Sequence, residues 1–137
     1  MRNPDEILAF GRRFHAGVRF EPNTDVLVDD ADRAIVVRVE IAGADSESLV
    51  VEIDDVDLVI RGRRAEHGMS PTASLVRKEI QYGEFATRIA LPIPVCDADA
   101  TAVYRDGILE IRLPIAPTKS YPIVRTEIRM TVRRTHV

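Results

Sequence analysis

The stretch Ala102-Val103-Tyr104-Arg105-Asp106-Gly107-Ile108-Leu109-Glu110-Ile111-Arg112-Leu113-Pro114 constrains this chain more than any other. After the Asp106-Gly107 pair, Leu109, Ile111 and Leu113 alternate with Glu110 and Arg112, and a period of two is the pattern of a strand that buries one face. Asp-Gly suits the left-handed dihedrals of a tight hairpin turn, because glycine has no Cβ to clash. The stretch predicts a β-hairpin ended by Pro114, which withholds a backbone donor. Such a hairpin is architecture and carries no catalytic chemistry, so it points to function by binding.

The same period recurs upstream. Ile35, Val37, Val39 and Ile41 oppose Val36, Arg38 and Glu40. Leu49, Val51 and Ile53 alternate next, Asp54-Asp55 turns the chain into Leu58-Val59-Ile60, and Phe85, Thr87, Ile89 and Leu91 alternate again. Ser46 to Ser48 is a candidate helical turn. The segment 63–74 is polar and loop-like, residues 75–80 resemble an extra strand, and Pro92 and Pro94 interrupt the ladder. Short strands at this spacing, with few helical windows, predict an all-β fold, an immunoglobulin-like antiparallel β-sandwich. The sandwich is expected over residues 22–114, between a flexible N-terminal arm (1–21) and a C-terminal extension (115–137). Ile7, Phe10 and Phe14 have the spacing of one helical stripe in the arm, and Ile128, Met130 and Val132 alternate in the extension.

Composition narrows the function classes. One domain is the expectation for 137 residues, and 45% hydrophobic with 30% charged residues can build a core. A formal net charge of −3 argues against a nucleic-acid binder. Cys96 is the one cysteine, which excludes an intramolecular disulfide and fits a reducing compartment. No signal peptide or bilayer-spanning run is evident, so a soluble, cytoplasmic protein is expected.

Catalytic and ligand signals are poor. Cys96 has no matched histidine motif, and His15, His67 and His136 show no ligand spacing. Asp54-Asp55-Val56-Asp57 and Asp97-Ala98-Asp99 look superficially like calcium loops but lack the regular acidic spacing and the closing glutamate, and turns explain them better. Arg61, Arg63 and Arg64 read as a solvated strand end. No catalytic residue, metal or cofactor is expected.

Four blocks in order carry a family resemblance. They are Pro22-Asn23-Thr24-Asp25-Val26 with Asp29-Asp30; Val36-Val37-Arg38-Val39-Glu40-Ile41-Ala42-Gly43; Leu58-Val59-Ile60-Arg61-Gly62-Arg63-Arg64; and Ala102-x-Tyr104-x-Asp106-Gly107-Ile108-Leu109. Together they resemble the α-crystallin domain of the small heat-shock proteins, of the bacterial type. Ile80 and Thr87 stand where the family usually has arginines, although Arg77 and Arg88 lie nearby.

The resemblance implies an ATP-independent holdase that binds partly unfolded client proteins and prevents their aggregation under stress. It also implies a strand-exchanged homodimer, with Leu75, Val76, Arg77, Lys78 and Ile80 as the exchanged segment, and a larger labile oligomer. A tail-docking groove is expected at Leu49, Val51, Ile53, Ala100, Ala102 and Tyr104. Its C-terminal anchor would be Ile128, Met130 and Val132, with Ile123 as the alternative. Nucleic acid and membrane are not expected partners. The arm is either disordered or packs between subunits and touches clients. Two other readings stay open: an adaptor domain for one folded partner, and a thiol-dependent hydrolase using Cys96.

Overall fold

The computed structural model describes residues 17–117 and 126–133. Among them the alternating runs become ten strands: β1 (Val18–Phe20), β2 (Thr24–Asp29), β3 (Ala34–Glu40), β4 (Val50–Asp54), β5 (Asp57–Arg64), β6 (Gly83–Ala90), β7 (Thr101–Arg105), β8 (Ile108–Pro114), β9 (Thr126–Ile128) and β10 (Met130–Val132). The only helical pieces among the described residues are single 3-10 turns at Ser46–Ser48 and Asp97–Asp99. One sheet has the order β1-β6-β5-β4-β9, the other β10-β7-β8-β3-β2. They stack around one core as a β-sandwich.

The inner faces are the apolar sets that the period of two marks. Ile35, Val37 and Val39 on β3 stand opposite Leu113, Ile111 and Leu109 on β8, and Val51 and Ile53 on β4 opposite Ile60 and Leu58 on β5. All are buried and pack with Phe85 into one core. Gly62 allows the closest packing there. A Cβ on it would lie 2.6 Å from Phe85 Cζ and 2.9 Å from Leu49 Cδ2, so no larger residue fits without displacement.

The β7–β8 hairpin has the expected turn. Asp106 (φ 53°) and Gly107 (φ 77°) both lie in the left-handed region, as a two-residue turn of type I′ needs. The Ile41 amide donates to the Gly107 carbonyl (2.8 Å) and the Tyr104 hydroxyl to the Ile41 carbonyl (2.6 Å), which fixes the hairpin to the end of β3.

Segments outside 22–114 complete both sheets. β1 joins β6, and β10 joins β7, each in parallel. These are the departures from an all-antiparallel sandwich, and both lie at sheet edges, where a chain end can add a strand without a crossover. Residues 75–80 form no strand within the single chain. A strand exists by its ladder, and this segment has no neighbouring edge in its own sandwich. Ile7, Phe10, Phe14 and Ile123 lie outside the described residues.

Candidate functional site

The first site is the side of the sandwich where β4 edges one sheet and β7 the other. The segment 126–132 occupies both edges in turn. Thr126, Glu127 and Ile128 pair antiparallel with Ile53, Glu52 and Val51, and Met130, Thr131 and Val132 pair parallel with Ala102, Val103 and Tyr104. Arg129 is the point at which the chain passes from one sheet to the other. Ile128 is 5% exposed and belongs to the core, while Met130 packs against it half-buried. The Thr126 hydroxyl donates to Asp97 Oδ2 (2.8 Å), and the Arg133 amide donates to the Tyr104 carbonyl (3.0 Å).

Of the groove candidates, Val51, Ile53, Ala102 and Tyr104 therefore stand directly beside the tail. Ala100 follows the 3-10 turn at Asp97–Asp99 and packs on the core. Leu49 lies before β4, buried against the position of Gly62, and is outside the paired register. Of the anchor candidates, Ile128 reaches one sheet and Met130 with Val132 the other.

Two features of this site were not read from the sequence. Asp97 binds the tail through Thr126, a contact between residues far apart in the chain. Glu127 stands opposite Glu52, which is only 8% exposed and is bound by Arg61 (Nη2 to Oε1, 2.9 Å). Like charges directly opposite one another weaken a strand pair, so this register carries a built-in repulsion.

The second site is the other side of the molecule. β2 ends its sheet, and its outer edge has no strand neighbour among the described residues. Val26 and Val28 are opposite the core residues Val37 and Ile35, yet they remain 43% and 44% exposed. Leu27 on the other face is exposed as well. The connection 65–82 between β5 and β6 holds Leu75, Val76 and Ile80, all exposed, Val76 at 97%. Exposed apolar side chains on an unpaired edge and on a long loop are the marks of an association surface.

The arginine cluster divides into separate jobs. Arg61 holds Glu52, and Arg63 holds Asp45 (3.0 Å). Arg64 donates to main-chain carbonyls. Arg88 binds Asp54 (2.9 Å) and Asp57 across the β4–β5 turn. That accounts for acidic residues that resemble a calcium loop. Thr87, where an arginine is usual, donates its hydroxyl to Glu21 Oε1 (2.7 Å). Cys96 is half-buried, with its thiol 3.7 Å from Asp99 Oδ2. Among the described residues no group of three or more His, Cys, Asp or Glu is placed to hold a metal, and no helix is long and apolar enough to cross a membrane.

Two sheets of this order, an open edge strand and a long exposed loop define an α-crystallin-type β-sandwich. The chain belongs to the Hsp20/alpha crystallin family, whose model matches residues 27–132. It is similar to small heat shock protein C4 of Rickettsia felis, 29% identical over 111 residues that cover 80% of this chain and 67% of that protein. Small heat shock protein C2 of the same organism is 29% identical over 68% of this chain and 59% of its own length. Among solved structures, hspA of Xanthomonas axonopodis matches with a TM-score of 0.64 at 32% identity, covering 73% of this chain and 98% of that one. A small heat-shock protein of Xylella fastidiosa matches with a TM-score of 0.63 at 29% identity, over 77% of this chain and 96% of its own. Members of the family are generally non-enzymatic chaperones that form oligomers.

Proposed function

We propose that the protein is an ATP-independent holdase that captures partly unfolded proteins and keeps them from aggregating. The observation that carries this reading is the apolar surface left uncovered at β2 and the 65–82 loop. Unfolding proteins expose apolar patches and unpaired strand edges that associate with one another. A protein that offers competing edges and patches intercepts them without making or breaking a bond. No catalytic residue, cofactor, nucleic acid or membrane enters this activity, and a single cysteine suits a reducing cytoplasm.

The working unit in this reading is a strand-exchanged homodimer. Leu75, Val76, Arg77, Lys78 and Ile80 of one copy add to the free edge of β2 in the other, covering Val26 and Val28. The tail, anchored by Ile128, Met130 and Val132, is the more labile contact. It either closes its own groove or that of a neighbour in a larger assembly.

Light scattering from a heat-aggregating protein tests the activity. Scattering should fall in proportion to added chain without ATP and reach a minimum near equimolar ratio. Undiminished scattering at an excess of chain across a range of temperatures would refute the holdase reading.

A further inference from the structure

We propose that Arg64 is the positioning residue of the exchange loop, fastening the loop's return to the rim of the sandwich so that Leu75 and Val76 are presented outward to a second copy. This rests on the strand-exchange reading and adds a mechanism to it. Arg64 faces Gly83 in the last pair of the β5–β6 ladder, so it stands where the chain leaves the sheet and where it comes back. Its neighbours Arg61 and Arg63 bind carboxylates. Arg64 instead donates from Nε (2.9 Å) and Nη2 (2.6 Å) to the Gln81 carbonyl, and from Nη1 (3.1 Å) to the Ala42 carbonyl.

One guanidinium thus bridges the returning loop and the turn after β3. It also lies over the rings of Phe20 (4.9 Å) and Tyr82 (5.9 Å). Its planar fork can serve two carbonyls and two rings together, which a lysine ammonium cannot do. The ion pair of Lys78 with Glu66 is a second tie across the loop, with Lys78 Nζ 4.9 Å from the Tyr82 ring centroid. Both partners are about half exposed, and a single exposed pair contributes little, whereas Arg64 joins the loop to the rim through two carbonyls and two rings together.

The consequence is preorganisation. A free connection of this length would lose conformational freedom on joining a partner sheet, and association would weaken accordingly. With its return leg already fixed, less of the loop remains to be ordered.

The test uses the full chain and the variants Arg64→Lys and Tyr82→Leu. It measures dimer dissociation by sedimentation at a series of concentrations, and amide exchange segment by segment. Arg64→Lys should raise the dimer dissociation constant about tenfold. It should also speed exchange in 66–82 while leaving β3, β5 and β8 unchanged. Tyr82→Leu, which keeps apolar cover and removes the ring, should do the same to a smaller extent and reads the clasp alone if the lysine variant fails to fold. A dissociation constant within twofold of the parent, or exchange that rises through the whole sandwich, would overturn the proposal. A Leu75→Ser/Val76→Ser double variant separates the two levels. If that variant dimerises normally, strand exchange itself is wrong. If it is monomeric while the Arg64 and Tyr82 variants dimerise normally, only the clasp is wrong.

Discussion

Replacing Ile128 by alanine should free the tail without unfolding the sandwich. Ile128 is 5% exposed and is the most deeply buried side chain of the described tail. Truncation to alanine removes three carbons from an apolar site, at about 0.8 kcal/mol each, or about 2.4 kcal/mol. Against this stand the short ladders to β4 and β7, the bond from Thr126 to Asp97 and the half-buried Met130. Each net hydrogen bond contributes about 0.5–1.5 kcal/mol, and each ordered residue loses about 1–2 kcal/mol of backbone freedom. The docked state therefore stands on a narrow margin, and losing about 2.4 kcal/mol shifts docked-to-free by about 50-fold. Any cavity that the truncation leaves in the docked state adds to this loss. Amide exchange should show lost protection over 126–133 and along the edges of β4 and β7, with β3 and β8 unchanged. Ile128→Val should give a smaller shift of about 0.5–1.5 kcal/mol. Unchanged protection of the tail in Ile128→Ala would refute the anchor. Loss of protection in β3 and β8 would show instead that the tail is an integral part of the core.

Gly62→Ala should destabilise the fold by about 1–3 kcal/mol, because its Cβ would meet Phe85 and Leu49 inside van der Waals contact; denaturant unfolding at unchanged m-value measures this. Glu127→Gln should tighten the tail by about 0.2–0.5 kcal/mol by relieving repulsion from Glu52, which Arg61 already partly offsets. The gain should shrink at high salt, and slower exchange over 126–133 reads it. Arg88→Met should cost about 1–3 kcal/mol, since it leaves Asp54 and Asp57 paired face to face without their shared cation; a lowered thermal midpoint, partly recovered by Asp57→Asn, checks it.

Much of the sandwich was legible because its signals are local. Asp106-Gly107 specifies its own turn, and the alternation of β3 and β8 names the residues that face inward whichever strand lies opposite. The spacing of Ile128, Met130 and Val132 likewise marks a strand-like segment. It does not say that Ile128 belongs to one sheet and the next two residues to the other. That split depends on where two edges lie in space. The pattern at 75–80 reads as a strand for the same local reason, yet within one chain it has no edge to join. Leu49 continues the alternation of Val51 and Ile53 into the core, where it packs against Gly62, but it lies before β4 and so outside the ladder that meets the tail.

Period and turn chemistry are properties of neighbouring residues, so the sequence by itself determined the β-sandwich, its inner faces and the hairpin, while the four ordered blocks carried the resemblance to the family. Register, edge exposure and the partners of long side chains are set by residues distant along the chain, and only the tertiary structure decided them. It placed the tail across two sheets and set Glu127 against Glu52. It left Val26 and Val28 uncovered, and it gave three clustered arginines three different sets of partners. Burial and hydrogen bonding act on whatever meets in space, and for these residues the meeting is made by the fold.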